Sequence, residues 1–142
     1  MLTILHVEDD PRDAKLLQET IDGAGSDIEV SLASNGQRAF DALLARDVDG
    51  DVPDLILLDY HLPDLSGQEV LHRLKNHPDL CRIPVVVFSD SDTERTIRTM
   101  YDAHANAYIV KPDTLDGYEQ IVDSLELFWG SVSELPRVEA KE

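Results

Sequence analysis

Five apolar stretches of strand length alternate along the chain with longer segments in which apolar residues recur at helical spacing. This alternation is typical of repeated β-α units built around a parallel sheet. The stretch from Leu55 to Leu58 is apolar at every position, as expected of a strand covered on both faces. The predicted strands are Leu2 to Val7, Ile28 to Ala33, Leu55 to Leu58, Val85 to Phe88 and Ala107 to Val110. The sequence therefore predicts an α/β protein with a five-stranded parallel sheet.

Capping signals predict where several helices begin and end. Asp10 has the features of an N-cap residue because Pro11 follows at the first helical position, and Gly23 to Gly25 are expected to end that helix. Two further helices are preceded by capping-box spacing, which is found at Ser66 with Glu69 and at Ser91 with Glu94. The last predicted helix carries an apolar stripe that continues to Phe128 and Trp129.

Length and charge limit the classes of function. A chain of 142 residues suits one domain with one core. With 29 acidic against 12 basic residues and a net charge of −17, direct binding to nucleic acid or to anionic lipid is disfavoured. The excess of acids suggests a salt-rich cytoplasm, because the Debye length falls to about 3 Å at 1 M salt. An acidic mesophilic protein is the alternative.

The lack of a targeting signal or a membrane span in the sequence predicts a cytosolic protein. The N-terminal residues lack a basic leader, and no stretch approaches the roughly 18 apolar residues of a membrane span. The single cysteine, Cys81, is expected to be a small packing residue. The expected organisation is one domain over residues 1–132 and a short tail over 133–142, without an output domain.

Carboxylates follow two of the predicted strands. Glu8, Asp9 and Asp10 end the first strand and Asp59 ends the third, so neighbouring strands would crowd these acids at one rim. Like charges that close must bind protons or share a cation. Mg²⁺ suits such a site because it takes oxygen ligands and needs only one or two carboxylates. Asp10 is better explained as a helix cap than as a ligand.

A lysine and a hydroxyl reach the same rim. Lys111 follows the fifth strand and Ser89 follows the fourth. The resulting pocket is suited to a phosphoryl group, because it combines acids, an ammonium, a hydroxyl and a metal. Asp59 is the best candidate nucleophile, because it stands alone after the central strand and aspartyl phosphate is an established intermediate. Taken by itself, Asp59 would be interpreted as a solvated turn residue.

Four segments together resemble the receiver domain of two-component response regulators. They are VED at 7–9, LLDYHLPDLSG at 57–67, PVVVFS at 84–89 and YIVKP at 108–112. The resemblance covers roughly residues 2–130, and HANAYIVKP with LFWGSVSELP is similar to single-domain receivers that partner phytochrome-like sensor kinases. It implies a doubly wound, flavodoxin-like (CheY-like) sheet in the order 2-1-3-4-5.

The resemblance implies a phosphoacceptor and a metal site. Asp59 would attack a phosphohistidine on a sensor histidine kinase or a phosphotransfer protein. Asp9, Asp59 and the backbone carbonyl of His61 would bind Mg²⁺ directly, and Glu8 would act mainly through water.

The resemblance also implies a switch. Ser89 would be the switch hydroxyl, Lys111 would pair with the acids or the phosphoryl group, and Tyr108 would change rotamer when Ser89 is drawn inward. The Lys111–Pro112 bond is a candidate for the cis form. The fourth helix, the fifth strand and the fifth helix would present the signal to a downstream protein, whose identity the sequence does not specify.

The chain departs from the family pattern at several positions. Glu8 replaces the commoner Asp, and His104 stands where the family usually has Gly, which predicts an unusual loop before the fifth strand. His61 and Ser91 occupy positions that tune how fast water removes the phosphoryl group.

The resulting function is a phosphorylation-dependent switch or a phosphorelay intermediate, with no enzymatic activity beyond self-catalysed phosphoryl uptake and loss. A phosphohydrolase is one rival, but that class usually has an acid two residues after the nucleophile, where this chain has His61. A pseudo-receiver that only binds proteins is the other, and the intact acid, hydroxyl and lysine set argues against it.

Three other features have simpler interpretations. The acidic turn from Asp47 fails as a calcium loop, because Val52 and Leu58 occupy the positions that need Gly and Glu. His6 is predicted to be a packed core residue. Phe128 and Trp129 either cover the end of the last helix or form the seam of a homodimer.

Overall fold

The computed structural model describes residues 1–45 and 52–136. At its centre lie five parallel strands in the order β2-β1-β3-β4-β5. The strands are β1 (Leu2–Val7), β2 (Ile28–Ala33), β3 (Leu55–Leu58), β4 (Val85–Ser89) and β5 (Ala107–Val110). The predicted fold class and strand order are confirmed, and β4 runs one residue further than predicted, to Ser89.

Helices connect successive strands. They are α1 (Pro11–Ala24), α2 (Gly36–Leu44), α3 (Gly67–Asn76), α4 (Glu94–Asp102) and α5 (Leu115–Leu127). The chain then continues as a π-helical segment, Phe128–Val132. Trp129 packs towards the core as predicted, whereas Phe128 is half exposed.

The core consists of two apolar layers, one on each face of the sheet. Ile56 and Leu58 of β3 face a layer that contains residues of α2, α3 and α4, while Leu55 and Leu57 face a layer built with α1 and α5. All four side chains are fully buried. Because successive strand residues point to opposite faces, a strand covered on both sides must be apolar throughout.

Helix caps explain where the helices begin. The Asp10 side chain accepts a hydrogen bond from the backbone N–H of Arg12, and Ser66 accepts one from Glu69, as predicted. The capping box predicted at Ser91 and Glu94 is wrong. Thr93 is the N-cap of α4, because its hydroxyl accepts from the N–H of Thr96 and Glu94 is already the first helical residue.

The structure also corrects the expected cis bond before Pro112. No cis peptide bond occurs within residues 1–45 and 52–136, so Lys111–Pro112 is trans. The trans form is favoured by about 0.5–1 kcal/mol for a bond preceding proline. The Pro112 ring lies against Gly117 in the first turn of α5, where an added Cβ would come within 2.5 Å of the ring.

Two parts of the sequence analysis fall outside the described residues. Residues 46–51 include most of the acidic turn that was considered as a calcium loop. Residues 137–142 form the end of the expected tail. Across the described part of the chain, every helix is too short or too polar to traverse a bilayer.

His104 has a left-handed backbone conformation at the end of α4, so the loop before β5 has a common helix-ending form and not the unusual shape predicted for it. Its φ is +76°, the only positive value at a non-glycine position in the described residues. The N–H of Ala105 donates to the Met100 carbonyl and the N–H of His104 to that of Tyr101, which is a Schellman motif at the end of α4. Gly25 ends α1 with the same motif at φ +64°. Glycine takes this conformation without penalty, whereas a residue with a Cβ does not.

We therefore expect His104→Gly to raise the free energy of unfolding by about 0.5–1 kcal/mol, because it relieves backbone strain. Urea unfolding measures the change. His104→Ala is the matched control, since it removes the imidazole but keeps the Cβ. If alanine stabilised the protein as much as glycine, the side chain rather than the backbone would be the cause.

Candidate functional site

Strand register brings the candidate residues to one edge of the sheet. Val7 of β1 pairs with Leu58 of β3, so Glu8 and Asp59 each follow a paired residue. The N–H of Asp59 donates to the carbonyl of Val7 at 3.1 Å, and Lys111 donates similarly to Ser89 at 2.8 Å. The carboxyl ends of β1, β3, β4 and β5 therefore meet at one rim, where parallel α/β sheets bind ligands.

Three carboxylates form a cluster at this rim. Each of Glu8, Asp9 and Asp59 contributes an oxygen, and these oxygens all lie within 4.8 Å of one another. Glu8 and Asp59 are buried, whereas Asp9 is exposed. An all-oxygen donor set with one ligand open to solvent suits a hard divalent cation that keeps part of its water shell. The cluster is thus able to hold a metal ion.

Lys111 supplies the ammonium of the site. Its Nζ lies 2.6 Å from Glu8 Oε1, 2.8 Å from Asp13 Oδ2 and 3.3 Å from Asp59 Oδ2. Glu8 and Asp59 were predicted partners, but the sequence analysis did not assign Asp13 to the site. An available signal was its place in the first turn of α1, which begins just after the strand end that carries Glu8 and Asp9.

The protonation of Lys111 and Glu8 depends on burial and on each other. Burial disfavours the charged lysine, but hydrogen bonds to Asp13 and Glu8, with the charge of Asp59, raise the pKa of Lys111 above its ordinary value. Burial raises the pKa of Glu8; the neighbouring Asp59 adds to this effect and Lys111 opposes it. Three carboxylates contact one ammonium and Asp9 lies beside two of them, so a divalent cation would offset the remaining negative charge.

An apolar floor lies beneath the lysine. The Lys111 Nζ stands 5.9 Å from the centre of the Phe88 ring, which packs edge-on against Tyr118. His6 is buried beside Phe88, as predicted for a core residue. Burial and the charge of Lys111 lower the pKa of His6 to about 4, so the imidazole is neutral at neutral pH. These rings exclude water and strengthen the electrostatic interactions above them.

The loop after Asp59 is held by two contacts that the sequence analysis did not identify. Asp64 accepts hydrogen bonds from the N–H groups of Gly36 and Gln37, and so ties the loop to the start of α2. Gly67 begins α3 directly against the backbone of Asp59 and Tyr60, just past β3, where an added Cβ would lie 2.6 Å from the Asp59 carbonyl oxygen. Both contacts restrict the position of the Asp59 backbone.

The predicted switch residues lie on the β4 side of the rim. Ser89 is fully buried and its hydroxyl accepts from the N–H of Ser91. The Tyr108 hydroxyl donates to the Ser91 carbonyl at 2.7 Å, which ties β5 to the loop before α4. His61 lies beyond Asp59 with an exposed side chain, and its N–H contacts Asp59 Oδ1 at 3.3 Å. The structure thus gathers the predicted residues, while their individual roles stay predictions.

The fold and this rim define a class of protein. Residues 4–123 match the family model of the response regulator receiver domain. The chain therefore belongs to the response regulator receiver family, whose members are signalling regulators rather than classical enzymes. Phosphorylation of an aspartate is characteristic of this family.

Particular relatives resemble the chain over almost its whole length. Response regulator Rcp1 of Synechocystis sp. is 37% identical over 135 residues, which cover 94% of this chain and 92% of that protein. The solved structure of Rcp1 in its Mn²⁺-bound form superposes with a TM-score of 0.82 at 36% identity, covering 96% of this chain and 99% of that one. The phosphorylated cyanobacterial phytochrome response regulator RcpA has a TM-score of 0.85 at 41% identity, with coverages of 95% and 98%.

Proposed function

We propose that the protein is a phosphorylation-dependent switch in which Asp59 receives a phosphoryl group from a sensor histidine kinase or a phosphotransfer protein. The single observation that carries this proposal is the contact of Asp59 with Lys111 at 3.3 Å, within a rim that also holds Glu8 and Asp9. The similarity to RcpA, a phytochrome response regulator, favours a phytochrome-like kinase as the donor.

The transfer step is a displacement at phosphorus. An Asp59 carboxylate oxygen attacks the phosphorus of the phosphohistidine, the P–N bond breaks, and the imidazole leaves with that electron pair. Lys111 and the Ser89 hydroxyl would donate hydrogen bonds to the phosphoryl oxygens.

Mg²⁺ is the proposed metal, and Asp9, Asp59 and the His61 carbonyl would hold it directly, with Glu8 acting through water. When bound, it would neutralise charge that develops on the transferring group. Support comes from the all-oxygen cluster, and the Mn²⁺-bound form of Rcp1 is consistent with a divalent ion in a relative.

Readout would depend on Ser89 and Tyr108. Movement of the Ser89 hydroxyl towards a phosphoryl group would disturb its contact with the N–H of Ser91, whose carbonyl accepts from Tyr108. The surface of α4, β5 and α5 would then change and bind a downstream protein, or the phosphoryl group would pass onward in a relay. His61 and Ser91 would tune phosphoryl loss. The proposed receiver unit covers residues 1–132, and we expect it to act in the cytoplasm.

Intact-mass measurement after incubation with acetyl phosphate and Mg²⁺ tests the phosphoacceptor. We expect a gain of one phosphoryl group in the wild-type protein. The adduct should be absent in Asp59→Asn and strongly reduced when EDTA removes the metal. The control variant is Asp41→Asn, which removes an exposed carboxylate and should retain the adduct. Asp54→Asn is less suitable, because Asp54 accepts hydrogen bonds from Thr3.

The phosphohydrolase rival predicts a different result in the same experiment. Continuous release of phosphate without an accumulating adduct would contradict the switch and favour hydrolysis. An adduct that survives in Asp59→Asn would show that another residue is the acceptor.

A homodimer is a second proposal, and it rests on exposed apolar residues at the end of α5. Leu127, Phe128 and Val132 remain 63%, 51% and 64% exposed, and adjoining apolar residues of this kind favour association with a second copy. Light scattering with and without beryllofluoride, a phosphoryl mimic, should detect a dimer that Phe128→Ser weakens and the control Leu32→Ser does not. A monomer under both conditions would end this proposal.

Adaptation to a salt-rich cytoplasm is a third proposal, supported by the net charge of −17. Screening by salt reduces repulsion between surface acids. We expect the melting temperature to rise between about 0.1 and 1 M KCl. A melting temperature indifferent to salt would contradict this adaptation.

A further inference from the structure

The Lys111 ammonium has three N–H donors, and three carboxylates already surround it. An ammonium can donate three hydrogen bonds and accept none. Glu8, Asp13 and Asp59 all lie within hydrogen-bond distance of Nζ. No donor is therefore left over for an incoming phosphoryl oxygen, which must displace one of these acids.

Asp13 differs from the other two acids in position. Glu8 and Asp59 lie in the three-acid cluster that is able to hold a metal, whereas Asp13 stands in the first turn of α1 outside that cluster. Its side chain is 27% exposed, while the side chain of Glu8 is fully buried. Asp13 is also nearer to Nζ than Asp59 is, at 2.8 Å against 3.3 Å.

We propose that Asp13 is a positioning residue that holds Lys111 on the α1 side of the rim and thereby limits phosphoryl uptake by Asp59. The carboxylate occupies one ammonium donor and neutralises part of the charge that would attract a phosphate dianion. It acts through Lys111 and does not touch the reacting atoms. This inference rests on the proposed function of Asp59.

Asp13 therefore has two opposing effects. It holds the lysine in place, and it lowers the affinity of the site for the phosphodonor. Without the Asp13 charge, the ammonium keeps its contacts with Glu8 and Asp59 and gains a donor for a phosphoryl oxygen. Loss of the Asp13 charge also reduces the repulsion that a dianionic phosphodonor meets at the rim, which favours binding of the donor. The rate of uptake should therefore increase.

Asp13→Asn is the informative substitution, because the amide keeps the shape but loses the charge, so its weaker hydrogen bond to Lys111 is more easily displaced by a phosphoryl oxygen. We expect the second-order rate constant for phosphorylation by acetyl phosphate, at saturating Mg²⁺, to rise about three- to tenfold. Asp13→Glu restores the carboxylate and should return the rate towards the wild-type value. The ¹⁵Nζ resonance of Lys111 should shift in Asp13→Asn, which reports directly on the lost contact.

Asp113→Asn controls for a general effect of charge. Asp113 is exposed and follows Lys111 by two residues on the same rim, so its removal changes the net charge equally. A general effect should be screened at 1 M KCl, whereas an effect through the direct, partly buried contact with Lys111 should persist there. Asp113→Asn should leave the rate within about twofold of the wild-type rate, because its charge is exposed.

The outcomes separate this inference from the proposed function. If the wild-type protein forms no adduct on Asp59, the proposed function fails. If it forms the adduct and Asp13→Asn reacts at the wild-type rate or more slowly, the role of Asp13 is overturned. An equal gain in Asp113→Asn, or a gain that vanishes at 1 M KCl, would also overturn it.

Discussion

Repulsion among carboxylates at the carboxyl end of the sheet is the constraint on which this site depends. Glu8, Asp13 and Asp59 lie within hydrogen-bond distance of one ammonium, and Asp9 lies beside two of them. A single Lys111 does not balance this charge, particularly over the Phe88 ring, where water is largely excluded. The rim therefore carries an excess of negative charge that a bound divalent cation would offset.

The surrounding fold keeps these acids together despite their repulsion. Backbone bonds from Asp59 to Val7 and from Lys111 to Ser89 continue the sheet hydrogen bonding up to the site residues. The loop beyond Asp59 is tied to α2 through Asp64, and Gly67 lets α3 begin against the backbone of Asp59 and Tyr60. The two apolar layers supply the stabilisation that offsets the cost of burying charge.

Much of the site follows from sequence order alone, because each residue is placed by the strand that precedes it. Asp9, Asp59, Ser89 and Lys111 all stand at or just past a strand end, and parallel strands deliver their ends to one edge. Local signals were also sufficient at Asp10 and Ser66, where the cap depends on neighbouring residues. They failed at Ser91, because its backbone is engaged by Ser89 and Tyr108 and Thr93 caps α4 instead.

The sequence by itself determined the α/β class, the strand boundaries to within one residue and the set of residues at the strand ends, since these depend on periodicity and on residue order. Tertiary structure decided the contacts between residues distant in sequence. Asp13 and Lys111 are 98 positions apart, and only the packing of α1 beside the end of β5 brings their charges within 2.8 Å.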